Sequence, residues 1–133
     1  MQVFVLYIVT VLAFLGVDAL MLGAVMRPLF DAHIADWLLE DVRLGPALVF
    51  YLFYVGGVLW FVSLPALRAK APRKALTNGA LLGAMAYGTY EFTNYATLKL
   101  WSPQMVAVDT LWGALLTGGA AWAGVWSVAK LSK

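Results

Sequence analysis

Between Gln2 and Lys130 the chain consists of four apolar runs separated only by short polar connections, at about residues 2–26, 44–67, 75–98 and 104–129. A run of ~20 apolar residues spans the hydrocarbon core of a bilayer as a helix, the form in which a single segment satisfies all its own backbone hydrogen bonds. Four such spans consume ~80 apolar-dominated residues, and 63% of the 133 residues are hydrophobic while 12% are charged. Nothing is left over for a soluble domain, which excludes a dinucleotide-binding unit, a P-loop domain and a secreted disulfide scaffold. The absence of cysteine removes thiol redox chemistry and Cys-ligated metals. Nine basic and seven acidic residues, a net charge of +2, are too few and too scattered for a nucleic-acid surface. The expected fold is all-α: a four-transmembrane-helix bundle, one integral membrane domain over residues 1–133, with a short surface helix between spans one and two.

The first run carries one charge, Asp18, and no Lys or Arg precedes it. It reads as an uncleaved span and not as a signal peptide, although Val17-Asp18-Ala19 is a passable cleavage site. Arg27-Pro28 is expected to end it. Beyond lie Asp31, Asp36, Glu40 and Asp41 among Phe30, Ile34, Trp37 and Leu38. That i, i+4, i+7, i+8 spacing predicts one apolar stripe on a short helix lying at the membrane surface, and His33 falls there too. Gly45-Pro46 opens the second span, where proline at the first helical turn has no hydrogen bond to lose. A basic connection, Arg68 to Lys74, leads to the third span, and Ser102-Pro103 supplies an N-cap and N1 residue for the fourth.

Four spans put both ends of the chain and the basic connection on one side. Arg68, Lys70, Arg73, Lys74, Lys130 and Lys133 lie there, against Arg27, Arg43 and Lys99 on the other. Six against three predicts N-in and C-in in the bacterial inner (cytoplasmic) membrane, with the acidic segment facing the periplasm, and disfavours dual insertion. The basic connection serves as a topology determinant, with contact to anionic lipid as its alternative role. Gly16, Ala19, Gly23, Gly56, Gly57, Gly79, Gly83, Gly88, Gly113, Gly118, Gly119 and Gly124 mark where helices are expected to approach closely.

Three acids lie inside the spans. Asp18, Glu91 and Asp109 each stand ~9–12 Å below the outer surface at 1.5 Å per residue, and a carboxylate at a helix centre costs ~2.5–3.5 kcal/mol on the mildest scales. Helix periodicity places Tyr87, Tyr90, Asn94 and Thr97 around Glu91, Tyr51 and Tyr54 near the same level, and Trp112 one turn beyond Asp109. No Lys, Arg or His lies at that depth. One or more acids then stay protonated and donate hydrogen bonds, a cation is held by hard oxygen ligands, or a cationic or hydroxyl-rich substrate sits beside the aromatic rings. A purely architectural hydrogen-bond network stands beside these. The candidate ligand-binding residues are Asp18, Tyr51, Tyr54, Tyr87, Tyr90, Glu91, Asn94, Asp109 and Trp112.

The segments Asp18-Ala-Leu-Met-Leu-Gly23, Phe50-Tyr51-Leu-Phe53-Tyr54-Val-Gly56, Tyr87-Gly-Thr-Tyr90-Glu91-Phe-Thr93-Asn94-Tyr95-Ala96-Thr97-Leu98 and Asp109-Thr-Leu-Trp112-Gly113 together resemble a bacterial family of small four-span membrane proteins, domain of unknown function 2177. The family pattern has tryptophan where Met21 stands and aspartate where Glu91 stands, so an acid is retained. The resemblance implies topology and motif positions and no particular reaction, and the occurrence of some members beside lipid-modifying enzymes implies a lipid-linked role. Three functions are therefore expected to compete. One is binding or transport of a cation, proton or polar lipid-like ligand, and another is modification of lipid by a carboxylate base with a tyrosine acid. The third is a subunit or assembly factor of a homo-oligomer or membrane complex. The lipid bilayer is the common partner.

Overall fold

A computed structural model describes all 133 residues. It is entirely helical, with no strand. Four helices, α1 (Gln2–Trp37), α2 (Leu44–Arg68), α3 (Pro72–Thr97) and α4 (Pro103–Leu131), run alternately up and down, as short connections between neighbours require. Ser102 caps α4 as expected, its Oγ accepting from the Met105 N–H at 3.1 Å with Pro103 at the first helical position.

The first helix does not stop at Arg27-Pro28. It runs on through a five-residue π-helical stretch, Leu22–Met26, into the α-helical turns Arg27–Ile34 and a last 3-10 turn, Ala35–Trp37. A proline inside a helix lacks its N–H and presses on the carbonyl four residues back, which for Pro28 is that of Ala24. A wider turn relieves the pressure, and the Arg27 N–H bonds the Leu22 carbonyl five residues back. The second helix repeats the device: Leu59–Ser63 is π-helical, the Leu64 N–H bonds the Leu59 carbonyl, and Pro65 follows. The prolines are thus absorbed by wide turns and do not break the rods.

The surface segment is consequently the last part of α1, joined to the span without interruption, and its apolar stripe meets protein. Ile34 is buried with Trp101, Met105 and Val106, and Leu29, Phe30 and Leu38 pack on that cluster. Of the stripe only Trp37 stays half exposed. These residues close the end of the bundle away from the basic connection, over the start of α4.

The core centres on α4, whose buried stripe runs from Met105 to Val128. Its closest partner is α3. A methyl group on Gly83 would collide with the Gly113 carbonyl and Thr117, and one on Gly79 with the Gly118 backbone. On the other flank Gly124 admits Thr10 and Leu6 of α1. Backbone contact of this kind supplies dispersion energy where lipid removes the hydrophobic drive. The glycines of α1 and α2 behave differently: Gly16, Gly23, Gly56 and Gly57 face open space, so the small-residue seam expected on all four helices exists only where α4 takes part.

The exterior is apolar. Leu20, Phe53, Trp60 and Leu111 are each more than 60% exposed, among many other large hydrophobic side chains. In the two helices long and apolar enough to cross a membrane, Gln2–Trp37 and Leu44–Arg68, only 28% of the apolar window is covered by the rest of the protein. Surface of this extent is unsupportable in water and is what lipid-facing helices require. A large core, from Leu6 and Phe14 to Val55, Leu116 and Val125, fills the half of the bundle with the basic end, and the cluster around Trp101 fills the other end. Asp18, Glu91 and Asp109 lie between the two.

Candidate functional site

The acids stand on the faces their helices turn inward. Asp18, Glu91 and Asp109 are all buried. The indole of Trp112, one turn beyond Asp109 on α4, donates from Nε1 to Asp18 Oδ1 at 3.0 Å and so ties α1 to α4. Glu91 and Asp109 face each other across the α3–α4 seam. Glu91 Oε2 accepts from Trp101 Nε1 at 2.7 Å, while its Oε1 receives no donor.

Asp18 and Asp109 open onto a cavity of about 430 Å³. Tyr51 and Tyr54 of α2 and Tyr87 and Tyr90 of α3 line it with them, as do Leu22 and Phe30 of α1 and Ala47, Phe50 and Ala86. The rings are held from behind. Phe14 packs on Tyr51 and Tyr54 at centroid distances of 5.7 and 5.6 Å, the Tyr54 hydroxyl bonds the Thr117 hydroxyl at 2.9 Å, and Tyr87 lies on Gly113, where any side chain would displace its ring. Trp101 holds Tyr90 edge-on at 5.6 Å.

The cavity reaches the exposed apolar surface. Phe50 and Tyr90, on its two sides, are 59% and 52% exposed. The second half of α2, from Leu59 onward, packs on both α3 and α4, whereas its first half touches mainly α1 and leaves α3. The second helix thus leans outward, and the gap opens between Phe50 and Tyr90. No Lys, Arg or His lines it. The protein's one salt bridge, Arg27–Asp31 at 3.2 Å, lies further out on α1.

Of the nine residues expected to form a site, six line this cavity: Asp18, Tyr51, Tyr54, Tyr87, Tyr90 and Asp109. Trp112 positions Asp18 from outside the lining, and Asn94 lies beside Tyr90 without reaching the cavity. Glu91 sits behind the wall. It is not ringed by tyrosines: its neighbours are Trp101 and Asp109, and the Thr97 hydroxyl bonds the Thr93 carbonyl of its own helix. No three His, Cys, Asp or Glu side chains come together as a metal-binding group. Trp101, Phe30 and Thr117 join the site although they are not among the residues expected there. For Trp101 a signal existed, because a buried indole N–H needs an acceptor and Glu91 is the nearest acid before it in the chain.

A family model described as "Predicted membrane protein (DUF2177)" matches residues 3–126. The chain belongs to the DUF2177 family. No curated protein and no solved structure matches it. In this DUF2177 protein the four motif segments of the sequence converge on one place: the first provides Asp18 and Leu22, the second Phe50, Tyr51 and Tyr54, the third Tyr87 and Tyr90, and the fourth Asp109.

Proposed function

We propose that this membrane protein binds an amphiphile with a cationic head, such as a long-chain amine or alkylammonium, taken from the outer leaflet through the gap between α2 and α3. One observation carries the proposal: a cavity with two carboxyl groups, six tyrosine and phenylalanine rings and no base opens sideways toward lipid. Aromatic faces beside carboxylates recognise organic cations by cation–π and ionic attraction, worth ~2 kcal/mol or more per ring when desolvated. A sideways opening suits a ligand whose chain stays among the lipids. The same lining holds the carboxyl and tyrosine groups that lipid modification would use, but the sideways opening and the surplus of acid over base suit binding or transport of a cation.

In the same proposal all four helices cross the bacterial inner membrane, with the end bearing Arg68, Lys70, Arg73, Lys74, Lys130 and Lys133 in the cytoplasm. The cavity, on the side of the acidic segment, then faces the periplasmic leaflet.

The test compares dodecyltrimethylammonium with dodecanol on protein purified in maltoside micelles, read as the shift in thermal unfolding midpoint. The cation is expected to stabilise the wild type saturably, with roughly tenfold weaker apparent affinity in Asp18→Asn. Asparagine keeps the acceptor for Trp112 and so preserves the α1–α4 tie. Equal stabilisation by dodecanol, or an unchanged response in Asp18→Asn, would refute the assignment.

A further inference from the structure

The opposite end of the bundle carries a second cavity, of about 670 Å³, between the ends of α2 and α4. Leu67, Val125, Trp126 and Ala129 make one part of its wall apolar, and Lys70, Lys130 and Lys133 line it as well, with no Asp or Glu side chain. We propose that this cavity binds the phosphate of an anionic phospholipid, whose acyl chains lie along α4.

Several features support a built site over a merely basic end. The only salt bridge in the protein lies at the other end, so none of these lysines has a carboxylate partner. Lys130 is already placed, its Nζ 4.1 Å from the centroid of the Trp126 ring, and Trp126 stacks on Trp122 one turn deeper, at 5.9 Å between centroids. The three residues descend one face of α4 from charge to apolar ring, the gradient a lipid presents between headgroup and chain. The Gln2 amide donates to the Ser132 hydroxyl at 2.8 Å and joins the first turn of α1 to the last of α4.

Lys70 is held by the backbone itself. It is the one non-glycine residue with positive φ, at 52°. There it closes α2 in a Schellman turn, the Ala71 N–H bonding the Ala66 carbonyl and the Lys70 N–H the Leu67 carbonyl, each at 3.0 Å. Glycine is the usual residue at that position because it lacks the Cβ penalty. A lysine there accepts strain in return for a side chain in the cavity lining.

The experiment titrates dioleoylphosphatidylglycerol into protein in mixed micelles of maltoside and phosphatidylcholine, reading the thermal midpoint. Each lysine near an anionic headgroup contributes roughly fivefold in affinity. The double variant Lys70→Gln, Lys133→Gln is therefore expected to need roughly 25-fold more lipid for half the stabilisation, and Arg73→Gln, Lys74→Gln, which removes equal charge outside the lining, less than about threefold more. All four positions lie at the exposed end of the bundle, and neither pair carries core packing. Equal losses in the two double variants would reduce the effect to diffuse charge and overturn the site. Inorganic phosphate alone is expected to leave the midpoint unmoved. Stabilisation by phosphate matching that by the lipid would overturn the lipid assignment.

Discussion

Adding one methyl group at Gly83 tests the seam on which the whole arrangement hangs. The new Cβ would stand 2.8 Å from Thr117 Cβ and closer still to the carbonyl of Gly113. Neither obstacle is the far end of a flexible side chain, so α3 and α4 must part. Restoring ordinary carbon–carbon contact near ~3.7 Å requires a separation of roughly 1 Å. Overpacking of this kind costs ~1–3 kcal/mol, and a gap of that size forfeits up to about half of each dispersion contact along the Gly79–Gly118 and Tyr87–Gly113 approaches. The gain in helix propensity from glycine to alanine offsets at most ~1 kcal/mol. The net expectation for Gly83→Ala is a loss of ~2 kcal/mol. Gly57→Ala is the control, because nothing lies within 4 Å of its Cβ; it gains the propensity without the clash. The measurement is unfolding by dodecyl sulfate titrated into maltoside micelles, followed by far-ultraviolet circular dichroism. An unfolding midpoint for Gly83→Ala at or above that of the wild type, or equal losses in both variants, would refute close backbone contact at this point.

Glu91→Gln is expected to leave the protein as stable as the wild type or more so: the amide oxygen still accepts from Trp101, and the new N–H₂ faces Asp109. Trp101→Phe instead strips the buried carboxyl of its donor and is expected to cost ~1–3 kcal/mol; the same titration ranks the two, and the reverse order would contradict the wiring. Because the chain has no cysteine, single cysteines at Asp41 and Lys70 report topology without background. A membrane-impermeant maleimide is expected to label Asp41→Cys in cells with a permeabilised outer membrane and Lys70→Cys only after lysis, and the opposite pattern would reverse the proposed orientation.

The helices and their rough limits are legible in the chain because each is a local property. Apolar length defines a span, and Ser102-Pro103 specifies a start by satisfying or removing N–H groups that have no partner in the first turn. Pro28 misled because its effect depends on whether the helix can widen, and the turn Leu22–Met26 could. The same stretch shows how an amphipathic stripe leaves its occupant undecided. The spacing of Phe30, Ile34 and Leu38 announces a buried face, but only the fold reveals that Trp101, Met105 and Val106 cover it and not lipid.

At the site, residue type and spacing identify the side chains that are costly in a membrane and must find company: Asp18, Glu91 and Asp109, expected at one depth, with tyrosines on nearby turns and no base among them. How they divide among partners follows from the packing of the four helices. Trp112 takes Asp18, Trp101 takes Glu91, and Asp18 and Asp109 face the cavity. Depth is set by position along a single helix, at a fixed rise per residue. Partnership depends on how the helices are rotated about their axes and how far they tilt, and these follow from contacts between distant segments, such as Gly83 on Gly113 and the outward lean of α2.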